Sequence, residues 1–320
     1  MTALELGGEA VATQVARLYY DRQLSKVEIG QRLGISRFRV ARLLRQARDA
    51  GLVWVEYRDV APRNRDLARQ LETRFGLDLC AVADGDADVL DATARLGAEV
   101  VAELLGPDER VGIAWGSTLG AMVSHLPRRD HEALSVVPLA GGSERLGRDE
   151  GPADLARRCA ERLGGSHRPL YAPAFLASPQ LRDALAREPG VATVLTAYRR
   201  LDTAVVGIGA WTDAGTVAGS SLLASGVLSR DELDALRRRG AVGELVVHPF
   251  DATGRFVAPD LAERSIAIPV DTLRTTRRVI AIAAGAAKAA AIRGALATGI
   301  IDVLVTDATA AGAILAMDGR

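Results

Sequence analysis

From Ala10 to Gly51 the apolar residues recur at intervals of three or four, and the breaks between runs carry residues that end one helix and start another. Val11, Val15, Leu18 and Tyr19 give a first helix within Ala10 to Asp21. Ser25, followed three residues later by Glu28, reads as a capping box, so a second helix begins at Lys26. Its apolar residues are Val27, Ile29 and Leu33, with the small Gly30 where a neighbouring helix comes close. Gly34 supplies a left-handed stop, Ile35 plugs the turn, and Ser36 caps a third helix whose Val40, Leu43, Leu44 and Ala47 share one face.

Beyond Gly51 the pattern changes. Leu52 to Tyr57 alternates as a short strand, the wing of a winged arrangement, and Arg58 to Asp66, with Pro62, reads as a linker. A helix over Leu67 to Phe75 closes at Gly76, and apolar strands then alternate with amphipathic helices to the end. The strands expected are Leu79 to Ala83, Val111 to Trp115, Ser135 to Leu139, Ala204 to Gly207, Ser265 to Ile268, Val279 to Ala283 and Val303 to Thr306. Such alternation makes a parallel sheet covered on both faces. The fold class is therefore α/β: a winged helix-turn-helix over 1–57, a linker over 58–66, and a Rossmann-like parallel-sheet domain over 67–320.

Composition fits this picture. The 320 residues are 48% hydrophobic and 25% charged, and aromatics are only 4%, which favours aliphatic α/β layers over an aromatic-rich sandwich. Cys80 and Cys159 have no metal-ligand spacing and read as two reduced thiols, or as one disulfide. No secretory pattern opens the chain and no apolar run is long enough for a membrane, so a cytoplasmic protein is expected. The whole chain has no net charge, yet residues 9–58 hold ten Lys/Arg against five Asp/Glu. A basic head on a more acidic body suits DNA.

The basic side chains fall on the third helix. Arg37, Ala41, Arg42 and Arg45 lie opposite its packing face, where a helix lodged in the major groove of double-stranded DNA would offer guanidinium forks to guanines or phosphates. Arg37 and Arg42 are the candidates for base contact, Arg39 and Arg45 for phosphate. Phe38 either touches a thymine methyl or packs on the first helix. Ser25 and Ser36, at the two helix starts, complete the DNA-side set. At these residues, Leu18-Tyr19-Tyr20, Leu24-Ser25, Glu28-Ile29-Gly30, Leu33 to Arg37 and Val40 to Leu44 with Ala47-Arg48, the segment resembles the DNA-binding part of SorC-family transcriptional regulators, with Ala41 in place of a usual serine.

In the second domain, Val111 to Leu119 runs from a strand through Gly116-Ser117-Thr118 into a helix, which is either an anion cradle or plain helix capping. Further tight turns at expected strand ends are Pro138 to Ser143 with Gly141 and Gly142, Tyr171 to Ala174, Gly207 to Trp211 with Gly209, and Gly285 with Lys288. Lys288 is a lone cation in an alanine-rich stretch, set either to neutralise an anion or to reach solvent.

This half is similar to the SorC sugar-binding domain, related in fold to glucosamine-6-phosphate deaminases and ribose-5-phosphate isomerases. The likeness rests on Gly112 to Thr118, Tyr171 to Phe175, Val206 to Gly209, Gly240 to Glu244, and Lys288 with Ala291 to Arg293. It implies that Gly116, Ser117, Thr118 and Lys288 hold a phosphate and that Glu244 approaches a sugar hydroxyl.

The function expected is a DNA-binding regulator of carbohydrate or polyol genes with a sugar, polyol or sugar-phosphate effector, self-associated as a dimer or tetramer. Two alternatives stand beside it. A DNA-binding scaffold would have no small ligand. A sugar-phosphate isomerase or deaminase fused to the head would need a general base, for which Glu244, Asp251, Asp307 and the histidines are the candidates. Asp251 is also counted with Gly141, Gly142 and Gly209 on the ligand side. No cofactor is expected.

Overall fold

Local signals set the N-terminal helices. In the computed structural model, which describes residues 8–53, 62–85, 88–143, 151–211, 220–224, 226 and 228–317, these are α1 (Gly8–Tyr20), α2 (Lys26–Leu33) and α3 (Arg37–Asp49). Ser25 Oγ accepts the Glu28 N–H at 3.3 Å and Glu28 Oε2 accepts the Ser25 N–H at 2.8 Å, closing the capping box. Gly34 takes φ 65°, a left-handed conformation that turns the chain sharply between α2 and α3. Ser36 accepts the Arg39 N–H at 3.2 Å to start α3.

Val11, Val15, Ile29, Val40, Leu43, Leu44 and Ala47 bury together as the core of this unit. Gly30 is essential to the approach of α2 to the turn, because a Cβ there would lie 2.6 Å from the Ile35 carbonyl oxygen. Val27 does not join the core. It is exposed, since the packed side of so short a helix is already filled by Ile29 and its neighbours.

Chain contacts separate this unit, residues 1–59, from a second over 60–320. Of the expected wing, Leu52 and Val53 lie in a turn and Trp54 to Tyr57 fall outside the described residues. The expected linker is shorter than 58–66 at its far end. The Asn64 N–H bonds the Val82 carbonyl, Arg63 bridges Ala83, and the Asn64 side chain caps α4 (Arg65–Phe75) by accepting the Leu67 N–H at 3.1 Å. Residues 62–66 are thus part of the second unit, and 58–61 are outside the described residues.

The second unit is built on one sheet. Its strands are β1 (Leu79–Ala83), β2 (Arg110–Ile113), β3 (Ser135–Pro138), β4 (Ser166–His167), β5 (Thr203–Ala210), β6 (Ala241–Leu245), β7 (His248–Asp251), β8 (Arg278–Ile282) and β9 (Val303–Asp307). The order β1-β9-β8-β5-β2-β3-β4 is parallel throughout, and β6 and β7 form an antiparallel hairpin on the second half of β5. The central strands β5 and β9 are buried along nearly their whole length, the signature of a sheet covered on both faces. The helices α5 (Val89–Leu104), α6 (Ser117–His125) and α7 (Pro152–Leu163) follow β1, β2 and β3.

Ser265 to Ile268 is not a strand. It makes only isolated bridges, Ala267 with Ala140 and Ser265 with Phe175. Its apolar residues Ile266 and Ile268 are buried all the same, which is why the pattern looked strand-like. The sheet is wound outwards from one point: β2, β3 and β4 proceed to one side, β5, β8 and β9 to the other. The gap between the β2 and β5 carboxyl ends is therefore the topological switch point, where parallel α/β sheets bind ligands.

Cys80 and Cys159 are both free and buried, and burial raises each thiol to about 12. Such thiols are protonated and unreactive.

Candidate functional site

On α3 the buried residues Val40, Leu43, Leu44 and Ala47 fix the opposite face. With successive residues about 100° apart around a helix, that face is centred on Phe38, Ala41, Arg42 and Arg45. Arg37 and Arg39 flank it. Arg37, Phe38, Arg39, Arg42 and Arg45 are all exposed, and none of the four arginines is paired with a carboxylate among the described residues. Phe38 does not pack on α1: it is 73% exposed, with the Arg37 guanidinium carbon 4.9 Å from its ring centroid. Ser25 and Ser36 spend their hydroxyls as caps.

The other candidate site lies at the switch point. Gly116, at φ 139°, caps α6 without a side-chain hydrogen bond, so the first N–H groups of the helix, at Ser117, Thr118 and Leu119, have no intrahelical partner. Ser117 is exposed and Thr118 buried. β2 and β5 are paired through Ile113 and Val205, and Gly116 and Ile208 each come three residues later at the same end of the sheet.

At Ile208 a second group arrives. Lys288, in a short 3-10 turn after β8, donates from Nζ to the Ile208 carbonyl at 2.9 Å. The turn before it is pinned by Asp307, whose Oδ2 accepts the Gly285 N–H while Oδ1 accepts from Thr309 and Ala310 at the start of the next helix.

Glu244 on β6 faces Gly209 on β5. A side chain at 209 is excluded, because a Cβ would fall 1.9 Å from Glu244 Oε1. The carboxylate is buried at 2% exposure and accepts from the Trp211 indole N–H, from Ser220 Oγ at 2.8 Å and from the Leu222 N–H at 3.4 Å. Burial raises its pKa above the ordinary 4.5, opposed by the hydrogen bonds from Ser220 and Trp211 and by the charge of Lys288. Burial lowers the pKa of Lys288, opposed by the charge of Glu244. The two groups thus form one electrostatic unit in which burial outweighs their attraction.

The remaining candidates have other tasks. The Gly141 N–H bonds Ile266 and the Gly142 N–H bonds Ala172, so both glycines stitch the β3 end to neighbouring segments. A Cβ at Gly141 would lie 2.4 Å from the Ala172 carbonyl oxygen. Asp251 holds its own turn, its Oδ1 accepting from Thr253 N–H and Arg255 N–H and its Oδ2 from Arg255 Nε.

Of the groups a proton-transfer enzyme would call on, Glu244, Asp251 and Asp307 are engaged as above, His248 Nε2 bonds the Ile268 carbonyl at 2.8 Å and His125 bonds Asp91 at 2.6 Å, whereas His131 Nδ1 is buried without a hydrogen-bond partner among the described residues. Trp211 and Ser220, the partners of Glu244, and Asp307 as the anchor of the lysine turn are the residues sequence reasoning missed. The only sequence signal was the run Gly209-Ala210-Trp211 leaving β5. No group of three or more potential metal ligands occurs among the described residues, and no described helix is long and apolar enough to cross a membrane.

Comparison with known proteins covers both units. The family model Sugar-bind, describing a sugar-binding domain, matches residues 61–316, and that for Sigma-70, region 4, matches residues 12–50. The chain is 30% identical over 313 residues to the Sorbitol operon regulator of Klebsiella pneumoniae, covering 94% of this chain and 96% of that protein. It is 31% identical over 313 residues to the Erythritol catabolism regulatory protein EryD of Brucella abortus (strain 2308), covering 96% of each. The crystal structure of the full-length Sorbitol Operon Regulator SorC from Klebsiella pneumoniae superposes with a TM-score of 0.73 at 30% identity, over 96% of this chain and 98% of that one.

Proposed function

The chain belongs to the SorC family of sugar-responsive transcriptional regulators, and on that premise we propose that α3 reads an operator while the β2–β5 switch point receives the effector. The single observation that supports DNA reading is the set of four exposed arginines on and beside the outward face of α3, free of carboxylate partners among the described residues. Arg42 and Arg45, near the centre of that face, take bases and phosphates; Arg37 and Arg39, on its flanks, take phosphates.

Effector binding rests on the open N-terminus of α6 and on Lys288. The free N–H groups after Gly116 and the lysine ammonium suit an anionic group such as the phosphate of a sugar phosphate. Glu244, fixed by Trp211 and Ser220, favours the charged form of Lys288 through its own charge and bounds the sugar side of the crevice. Gly116 to Thr118, Glu244 and Lys288 remain the proposed ligand residues. Gly141, Gly142, Gly209 and Asp251 serve the framework that shapes the crevice.

Two heads are needed to read two half-sites, so the active species is a homo-oligomer, dimer or tetramer. The relatives named for sorbitol and erythritol suggest a polyol, a sugar or its phosphate as effector, and a chain that acts beside the chromosome in the cytoplasm. The test is fluorescence anisotropy of the full-length protein on DNA from upstream of its own coding region, at fixed salt, with a panel of sugars, polyols and sugar phosphates. Tight binding that one compound shifts several-fold is expected. Tight binding that no compound shifts would overturn the effector reading, and absence of specific binding would overturn the DNA reading.

A further inference from the structure

Phe38 presents its ring to solvent at the start of α3, and no packing among the described residues of the head requires it there. It lies about 120–180° around the helix from each of Val40, Leu43, Leu44 and Ala47, and it is 73% exposed. Arg45 lies about 20° and Arg42 about 40° from it around the axis, so the ring heads the same stripe as these two arginines. In a recognition helix the N-terminal residues are the ones that reach base edges. Within the major groove the apolar feature of a base edge is the C5 methyl of thymine; the other groups are hydrogen-bond donors and acceptors.

We propose that Phe38 is a specificity-determining residue that reads a thymine methyl in each half-site, and that Arg37 orients the ring rather than reading a base. The inference rests on the DNA-reading function proposed above. Arg37 sits with its guanidinium carbon 4.9 Å from the ring centroid, which holds the aromatic side chain against the helix while leaving the guanidinium N–H groups for a phosphate. The pair therefore divides the work: an apolar face toward the base, a cation toward the backbone. A 5-methylcytosine carries the same methyl at the same carbon and satisfies the same contact, whereas cytosine and uracil do not.

The experiment uses the full-length protein to select binding duplexes from a random library. Each thymine of the selected duplex is then replaced singly by deoxyuridine, which removes only the methyl. The expected result is at least one thymine per half-site whose replacement weakens wild-type binding about four-fold, the worth of one buried methyl-sized group. The Phe38→Ala variant binds the thymine duplex less tightly and is indifferent to that replacement, while Arg42→Ala keeps its sensitivity to it.

Deoxyuridine replacements that leave the wild type unchanged at every position, or that weaken Phe38→Ala by the same factor, would overturn the proposal and leave DNA reading intact. Failure of the wild type to select any duplex would remove both. Thermal unfolding supplies a separate check: Phe38→Ala leaves the midpoint unchanged if the ring is free, and a marked fall would show that the ring is packed and end the proposal.

Discussion

Glu244 and Lys288 carry the electrostatics of the proposed effector crevice. Because burial raises the Glu244 pKa, the folded protein holds this proton more tightly than the unfolded chain does. Stability from this group is complete below the unfolded value near 4.5 and is lost as pH rises through the higher folded value. Glu244→Gln cannot titrate, and its single amide oxygen can accept from Trp211 while its NH2 turns to Ser220 Oγ, so its unfolding midpoint is expected to fall less than that of the wild type across this window. Thermal melts of both proteins from acidic to mildly alkaline pH measure this, and parallel curves would show that Glu244 ionises normally. Lys288→Ala removes the ammonium from the Ile208 carbonyl. The loss of a charge-assisted bond to a phosphate, about 1.5–3 kcal/mol, is expected to weaken effector binding roughly 10- to 100-fold while leaving operator affinity without effector unchanged. An unaltered response in an anisotropy titration would remove Lys288 from the phosphate site.

At the scale of elements, both proposed sites depend on packed turns. Gly30→Ala would push a Cβ to 2.6 Å from the Ile35 carbonyl oxygen, against backbone that cannot yield without separating α2 from α3. A cost of about 1–3 kcal/mol to the head is expected, seen as weakened operator binding with effector binding retained. Asp307→Ala removes both the cap of the helix Ala308–Ala316 and the acceptor that pins the Gly285 turn, so effector affinity falls although residue 307 need not touch the ligand. Operator binding without effector is the control for that variant and should be unchanged.

These elements were not equally legible in the sequence. Ser25, Glu28, Gly34 and Ser36 act within four residues of their partners, and their spacing alone announces the caps and the turn. The β6–β7 hairpin was not foreseen as strands, because what makes it a hairpin is its pairing with β5 some 35 residues earlier in sequence, Gly209 with Glu244. Trp211 and Ser220 were missed for the same reason. Ser265 to Ile268 has strand-like apolar residues but only single bridges to its neighbours and no continuous ladder, and α4 begins earlier than its apolar residues suggest because Asn64 caps it.

For the whole molecule, the proposed effector crevice lies in one unit and the proposed reading helix in the other, and thermodynamics constrains their coupling before any geometry does. If the effector changes operator affinity by some factor, the operator must change effector affinity by the same factor, typically about 5- to 150-fold. Calorimetric titration of the effector into free and operator-bound protein measures one side, and anisotropy with and without effector measures the other. Equal factors are expected for the wild type. In Lys288→Ala the two factors should still equal each other, whatever their size, because linkage holds for any variant. A coupling seen from the DNA side but not from the effector side would mean that the two experiments follow different species, such as a change in oligomeric state. Light scattering across the same concentrations distinguishes this, because reciprocal coupling within one homo-oligomer leaves the mass constant while a shift between dimer and tetramer does not.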